Sequence, residues 1–296
     1  MIVIMTALAV EQQAVLDHLI NVEEHSHAMG TVFDVGRLAS RPSRRVALGV
    51  TGPGTTTAAA LTERARTEFS PSAMMFVGVA GGLRKWLKIG DVVVATKVYS
   101  HHGARSEDNA DLARPRAWEV SHALEQRARR LDRGDSWYSH LSDDAGRLRP
   151  RVHFDPIVAG DVLLNSRTSP LALTLSTVYN DAVAIEMESS GFAHAAHLGG
   201  NVPVVTIRAV SDHANGDKAK QDGEGTQIVA ARTAAAFAVA LAAAIVDQDD
   251  DGQDDVEDPR HAQASTMIRN SNNARGKARV GQQIGINLGD LGARWK

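Results

Sequence analysis

Short runs of β-branched and other apolar residues alternate along this chain with longer stretches of helical periodicity. The runs Ile2–Met5, Thr31–Leu38, Arg45–Val50, Ala73–Gly78, Asp91–Val98, Val152–Ala159, Ala182–Ile185 and Val202–Ala209 predict strands. The stretches Ala9–Ile20, Thr55–Phe69, Trp118–Leu131, Ser189–Leu198 and Gln227–Val246 predict helices, and Trp118–Leu131 carries a basic solvent face. Strands alternating with helices imply an α/β fold: a mixed or mostly parallel sheet covered on both faces.

The pattern breaks at about residue 247. Asp247–Asp258 is nearly all Asp, Gln and Glu and cannot bury apolar surface. Three segments are therefore expected: a folded domain over 1–247, an acidic disordered linker over 248–264, and a tail over 265–296 rich in Asn, Gly, Gln and Arg.

Composition narrows the function. Of 296 residues, 43% are hydrophobic, enough for a real core. The 32 Lys plus Arg against 35 Asp plus Glu give a net charge of −3, which argues against nucleic acid as partner. There is no Cys, so disulfides, zinc–thiolate sites and thiol nucleophiles are excluded. The longest apolar run, Ala234 to Val246, is shorter than the ~20 residues a membrane span needs. The opening Met1-Ile2-Val3-Ile4-Met5 has no basic region before it and reads as a strand rather than a secretory leader. A cytoplasmic protein is expected.

Four stretches could carry chemistry. Glu11 follows the first strand, where α/β folds place ligands, although a Glu in a first helical turn is also ordinary dipole chemistry. Val77-Gly78-Val79-Ala80-Gly81-Gly82-Leu83 lets backbone amides approach a ligand, but it lacks both the dinucleotide and the P-loop spacing. Ile185-Glu186-Met187-Glu188 delivers two carboxylates from an apolar strand, on one side of an extended segment. Arg208-Ala209-Val210-Ser211-Asp212-His213 places another at a strand end. Acidic groups at three strand ends suit catalysis on a sugar, whose cationic transition state needs negative neighbours.

Together with Gly90-Asp91-Val92-Val93 and Ala159-Gly160-Asp161, these residues resemble the purine nucleoside phosphorylase / uridine phosphorylase superfamily over roughly 1–247. The branch they resemble most is the methylthioadenosine/S-adenosylhomocysteine nucleosidases. The resemblance implies a three-layer α/β sandwich with a central mixed sheet, assembled as a homo-oligomer. It implies cleavage of the bond between adenine and ribose without a cofactor. It gives Asp212 the role of general acid toward adenine N7 and Glu11 that of base toward water. Glu188 would hold ribose hydroxyls, with Met187 against the sugar. Leu163 and Leu164 would meet the adenine edge, and Val79, Gly81 and Ser211 would line the substrate site.

Phosphorylases of this superfamily hold phosphate with arginines, whereas here the matching places carry Phe76 and Glu11. Water is thus the expected nucleophile, with phosphorolysis as the alternative. The segment from Tyr99 to Trp118 contains His101, His102, Arg105, Arg114 and Arg116, where the resembled enzymes line an apolar pocket for the 5′ substituent. A basic segment there, with Arg105 as a contact, would suit phosphates, so an adenine nucleotide such as ATP is a candidate substrate. Adjacent His101 and His102 lack the spacing of a helical metal pair, and no metal is expected.

In the tail, Val280-Gly281-Gln282-Gln283-Ile284-Gly285 resembles the bacterial amyloid-signalling motifs akin to the RIP homotypic interaction motif. That resemblance implies a regulated immunity or cell-death effector, with an NTPase receptor carrying a matching motif as partner. A housekeeping nucleosidase with an idle tail, or a non-catalytic nucleoside-binding module, is the competing expectation.

Overall fold

A computed structural model describes residues 1–147, 149–200, 202–215 and 225–245; the expected linker and tail motif lie outside them. The chain runs β1 (Ile2–Thr6), α1 (Ala9–Leu16), β2 (Leu19–Ser26), β3 (Val32–Leu38), β4 (Arg41–Val50), α2 (Thr55–Phe69) and β5 (Ala73–Gly82). It continues through β6 (Val92–Ser100), β7 (Ala104–Glu107), β8 (Ala110–Ala113), β9 (Arg116–Glu119), α3 (His122–Arg133), a 3-10 turn (Ser136–His140) and α4 (Asp143–Arg147). Then follow β10 (Val152–Ala159), α5 (Pro170–Val178), β11 (Ala184–Glu186), α6 (Ser189–Leu198), β12 (Val204–Asp212) and α7 (Thr226–Ala244).

A ten-stranded mixed sheet has the order β11-β10-β6-β12-β5-β1-β4-β3-β2, with β9 beside β6. The β1, β4, β5 and β12 neighbours are parallel, whereas β12–β6 and the β2–β3–β4 edge are antiparallel. The alternation of β1 shows why both faces are covered. Ile2 and Ile4 enter a cluster with α1 and the Ala-rich α7, while Val3 and Met5 enter another with Ala58 of α2 and Phe192 of α6. This is the helix–sheet–helix sandwich of an α/β fold. The helices α2 and α6 pack so closely that a Cβ at Gly191 would collide with the Thr55 carbonyl.

One pairing shapes the site. Strand β11 bonds to β10 on one side and, antiparallel, to the end of β5 on the other (Ala184 with Gly82, Ile185 with Gly81). Strands β5, β12, β6, β10 and β11 thereby close into a ring. Asp212 registers opposite Gly81 across a bulge in β12. The carboxyl ends of β5, β11 and β12 therefore meet at one place.

Several elements depart from the sequence pattern. The helix expected over Ala9–Ile20 stops at Leu16, and Leu19–Ser26 is an edge strand. Its residues from Ile20 on are mostly exposed, so it lacks the apolar alternation that marks a buried strand, and its charges protect the sheet edge. The helix expected from Trp118 begins at His122, after Ser121 at the N-cap; Trp118 belongs to β9, paired with Val98. Helix α5 was not anticipated, although Ser169 caps it through the Ala172 N–H at 3.2 Å and Pro170 opens it.

Candidate active site

Strand β12 carries an arginine in an apolar run, and a buried guanidinium must find anionic partners. Arg208 is 1% exposed, and Glu186 at the end of β11, Glu188 at the N-cap of α6 and Glu11 in the first turn of α1 converge on it. Its Nη2 donates to Glu186 Oε2, to Glu188 Oε2 at 3.3 Å and to Ser189 Oγ at 3.1 Å. Its guanidinium lies 4.6 Å from the Phe76 ring centroid. Glu186 also accepts the N–H groups of Glu188 and Ser189, so its carboxylate organises the start of α6. The two glutamates of the Glu-Met-Glu run thus turn the same way, toward Arg208.

Glu11 bridges two turns. Oε2 accepts the N–H groups of Ala7 (2.8 Å) and Leu8 (2.9 Å), and Oε1 accepts that of Val79 (2.8 Å). Residue 78 must be glycine, because a Cβ there would fall on both the Glu11 carboxylate and the Arg208 guanidinium. Burial pushes the Glu11 carboxyl above its ordinary range, against Arg208 and the three N–H groups. Burial and the Glu186 charge likewise push Glu188 up to about 7, against the pull of Arg208 and the Gly54 N–H. One cation thus faces three carboxylates, and burial works against the ionised forms of Glu11 and Glu188.

Asp212 is also buried. Its Oδ1 accepts the Ala214 N–H at 2.8 Å and its Oδ2 the Ser211 hydroxyl at 3.0 Å. Val79 bonds Glu11 and Gly81 faces Asp212, so the two carboxylates address β5 a two-residue step apart, roughly 7 Å along its backbone.

These groups border a cavity of about 240 Å³. The structure brings Glu11, Val79, Gly81, Leu163, Leu164, Met187, Glu188, Ser211 and Asp212 to its walls. Leu164 is buried, whereas Leu163 is 57% exposed at the mouth. Among the described residues the lining includes four carboxylates and no Lys or Arg. Phe76, where an arginine would serve a phosphorylase, lies buried between Arg208 and Phe192.

Arg105 is not brought to this cavity. It lies exposed on β7 and pairs with Glu107 at 2.6 Å. The rest of the basic segment borders a separate groove, where His102, Arg114 and Arg116 face Thr55 and Asp161. His101 packs on Gly160, and burial and the adjacent His102 lower its pKa to about 4. Among the described residues no group of three His, Asp or Glu side chains is placed to hold a metal.

Sequence reasoning gave Arg208 and Glu186 no role. The signal was present: an arginine inside Val204–Val210 requires buried acidic partners, and Glu186 ends another apolar run.

Comparison with known proteins agrees with this geometry. A family model described as "Phosphorylase superfamily" matches residues 1–247. A 5′-methylthioadenosine/S-adenosylhomocysteine nucleosidase of Staphylococcus haemolyticus is 27% identical over 216 residues, 73% of this chain and 88% of the relative. That of Staphylococcus carnosus is 27% identical over 175 residues, 59% of this chain and 72% of the relative. The crystal structure of the Neisseria meningitidis nucleosidase of the same name, in complex with methylthio-immucillin-A, superposes with a TM-score of 0.67 at 25% identity, covering 82% of this chain and 99% of that one.

Proposed function

The chain belongs to the phosphorylase superfamily and is an N-ribosyl hydrolase, and we propose that it releases adenine from an adenine nucleoside with water as nucleophile. The observation that carries this is the cavity whose walls hold both Glu11 and Asp212, with Glu188 beside them and no cation among the described lining. Asp212 donates a proton to adenine N7 as the glycosidic bond breaks. The sugar becomes oxocarbenium-like, and the surrounding carboxylates stabilise it. Glu11 orients the attacking water and takes its proton; burial makes it the stronger base. Glu188 accepts from ribose hydroxyls, and Met187 packs on the ring. A phosphate ion entering the same place would meet carboxylates, which favours hydrolysis over phosphorolysis.

The relatives' names support a methylthioadenosine- or S-adenosylhomocysteine-like substrate in a housekeeping role. The tail sequence supports a second proposal, that the enzyme is a cytoplasmic, homo-oligomeric effector released by tail assembly with an NTPase receptor. Adenosine, methylthioadenosine, S-adenosylhomocysteine, AMP and ATP should be incubated with the protein, with and without phosphate, and adenine followed. Adenine together with the free sugar, at a rate indifferent to phosphate, is the expected result. Accumulation of a ribose 1-phosphate would overturn hydrolysis.

A further inference from the structure

Resting on the nucleosidase reading, we propose that Asp161 is a positioning residue for Glu188, acting through the Gly54–Thr55 turn. Asp161 lies in the loop after β10, three residues or fewer before Leu163 and Leu164 on the cavity wall. Its Oδ1 accepts the Thr55 N–H at 2.7 Å and its Oδ2 the Thr55 hydroxyl at 2.9 Å. The preceding amide, Gly54 N–H, donates to Glu188 Oε1 at 3.3 Å. Behind Asp161, its own N–H donates to His102 Nε2 at 2.6 Å, which fixes that imidazole as the tautomer protonated on Nδ1.

The series runs without a gap: His102, the Asp161 backbone, the Asp161 carboxylate, Thr55, the Gly54 N–H, Glu188. It joins the loop that faces the base to the carboxylate assigned to the sugar. Glu188 has need of it. Arg208 Nη2 is shared among Glu186, Glu188 and Ser189, so among the described residues the Gly54 N–H is the other donor holding Glu188 in orientation. Burial opposes ionisation of Asp161, but the Thr55 N–H and hydroxyl outweigh it and hold its carboxyl below its ordinary value. The carboxylate is thus the form that makes the contact across neutral pH.

The test is steady-state adenine release from methylthioadenosine by the full chain carrying Asp161→Ala, Asp161→Asn, Thr55→Val or Glu188→Gln. Glu63→Ala, which breaks an exposed pair on α2, is the control. Asp161→Ala is expected to raise KM about tenfold while kcat falls less than about threefold, as misplacement of a substrate-holding group does. The acidic limb of kcat/KM should move to higher pH, because ionised Glu188 loses a donor. Asn accepts the Thr55 N–H but not the hydroxyl, so Asp161→Asn should recover part of the loss, and Thr55→Val should show a smaller rise. Added to Glu188→Gln, Asp161→Ala should cost little more. Loss that follows the fall in Tm alone, with KM and the pH limb unmoved, overturns the positioning role. Wild-type protein that releases no adenine removes the nucleosidase reading and this role together. Active wild type with a kinetically normal Asp161→Ala removes this role only.

Discussion

Nη1 of Arg208 stands 3.8 Å from Oε1 of Glu11, an ion pair without a hydrogen bond, while Nη2 of the same guanidinium bonds Glu186, Glu188 and Ser189. Nη1 and Nε are buried without a hydrogen-bond partner among the described residues. The cation therefore serves Glu11 through its field and the other two acids through contact.

Removing that cation should be costly. Arg208→Met leaves three buried carboxylates facing one another and is expected to cost about 3–5 kcal/mol in urea unfolding. Adding Glu186→Gln should return part of the loss. A single-variant cost below about 1 kcal/mol would show that the cluster does not depend on its cation.

The assigned acid and base should separate from stability. Glu11→Gln and Asp212→Asn are each expected to lower adenine release by about 10² or more, the usual loss on removing a positioned acid or base. Circular dichroism checks that each variant is folded. Turnover near the wild-type rate would take that residue out of its role.

Glu188 makes stability fall with pH. Its carboxyl has an ordinary value of 4.5 and is pushed up to about 7 in the fold, so the folded state holds its proton more tightly. The corresponding stability is present below pH 4.5 and is lost as pH rises through 7. Glu188→Gln keeps the neutral form throughout. Its gain in stability over wild type should grow between pH 5 and 8 and level off above, reaching about 3 kcal/mol. Thermal melts across that range decide; a difference independent of pH contradicts the raised value.

The tail can be tested apart from the enzyme. A peptide of residues 265–296 is expected to form thioflavin-positive fibrils, faster at high salt because Arg275, Lys277 and Arg279 repel in a stack. Gln282→Pro should block them. A peptide that stays monomeric in high salt, seeded or not, would leave the effector proposal without its assembly step.

Much of the architecture was legible because buried strands announce themselves. Val3, Met74 and Val205 sit in apolar runs bounded by turn residues, and Ser189–Leu198 needed only its periodicity. Elements held by pairing rather than burial were not. Strands β2 and β7 are largely polar and exposed, and a strand that makes only ladder bonds leaves little trace in its side chains. At the site, acids at strand ends could be read one by one. Their meeting on Arg208 could not, because it depends on β11 pairing with β5 across about a hundred residues of chain. Arg105 misled because a basic segment reveals its charge but not the side of α2 on which it lies.

The ring closed by the β11–β5 pairing has a consequence for motion. A carboxylate at the end of an open sheet can swing when its strand frays, but strands in a closed circuit can part only if ladders on both sides break together. Amide exchange at Gly81, Gly82 and Ile185 should thus be among the slowest in the domain, far slower than in β2 or the β7–β8 ribbon. Glu186 and Asp212 end strands of that circuit, so the field of these two acids is fixed by ladder bonds on both sides.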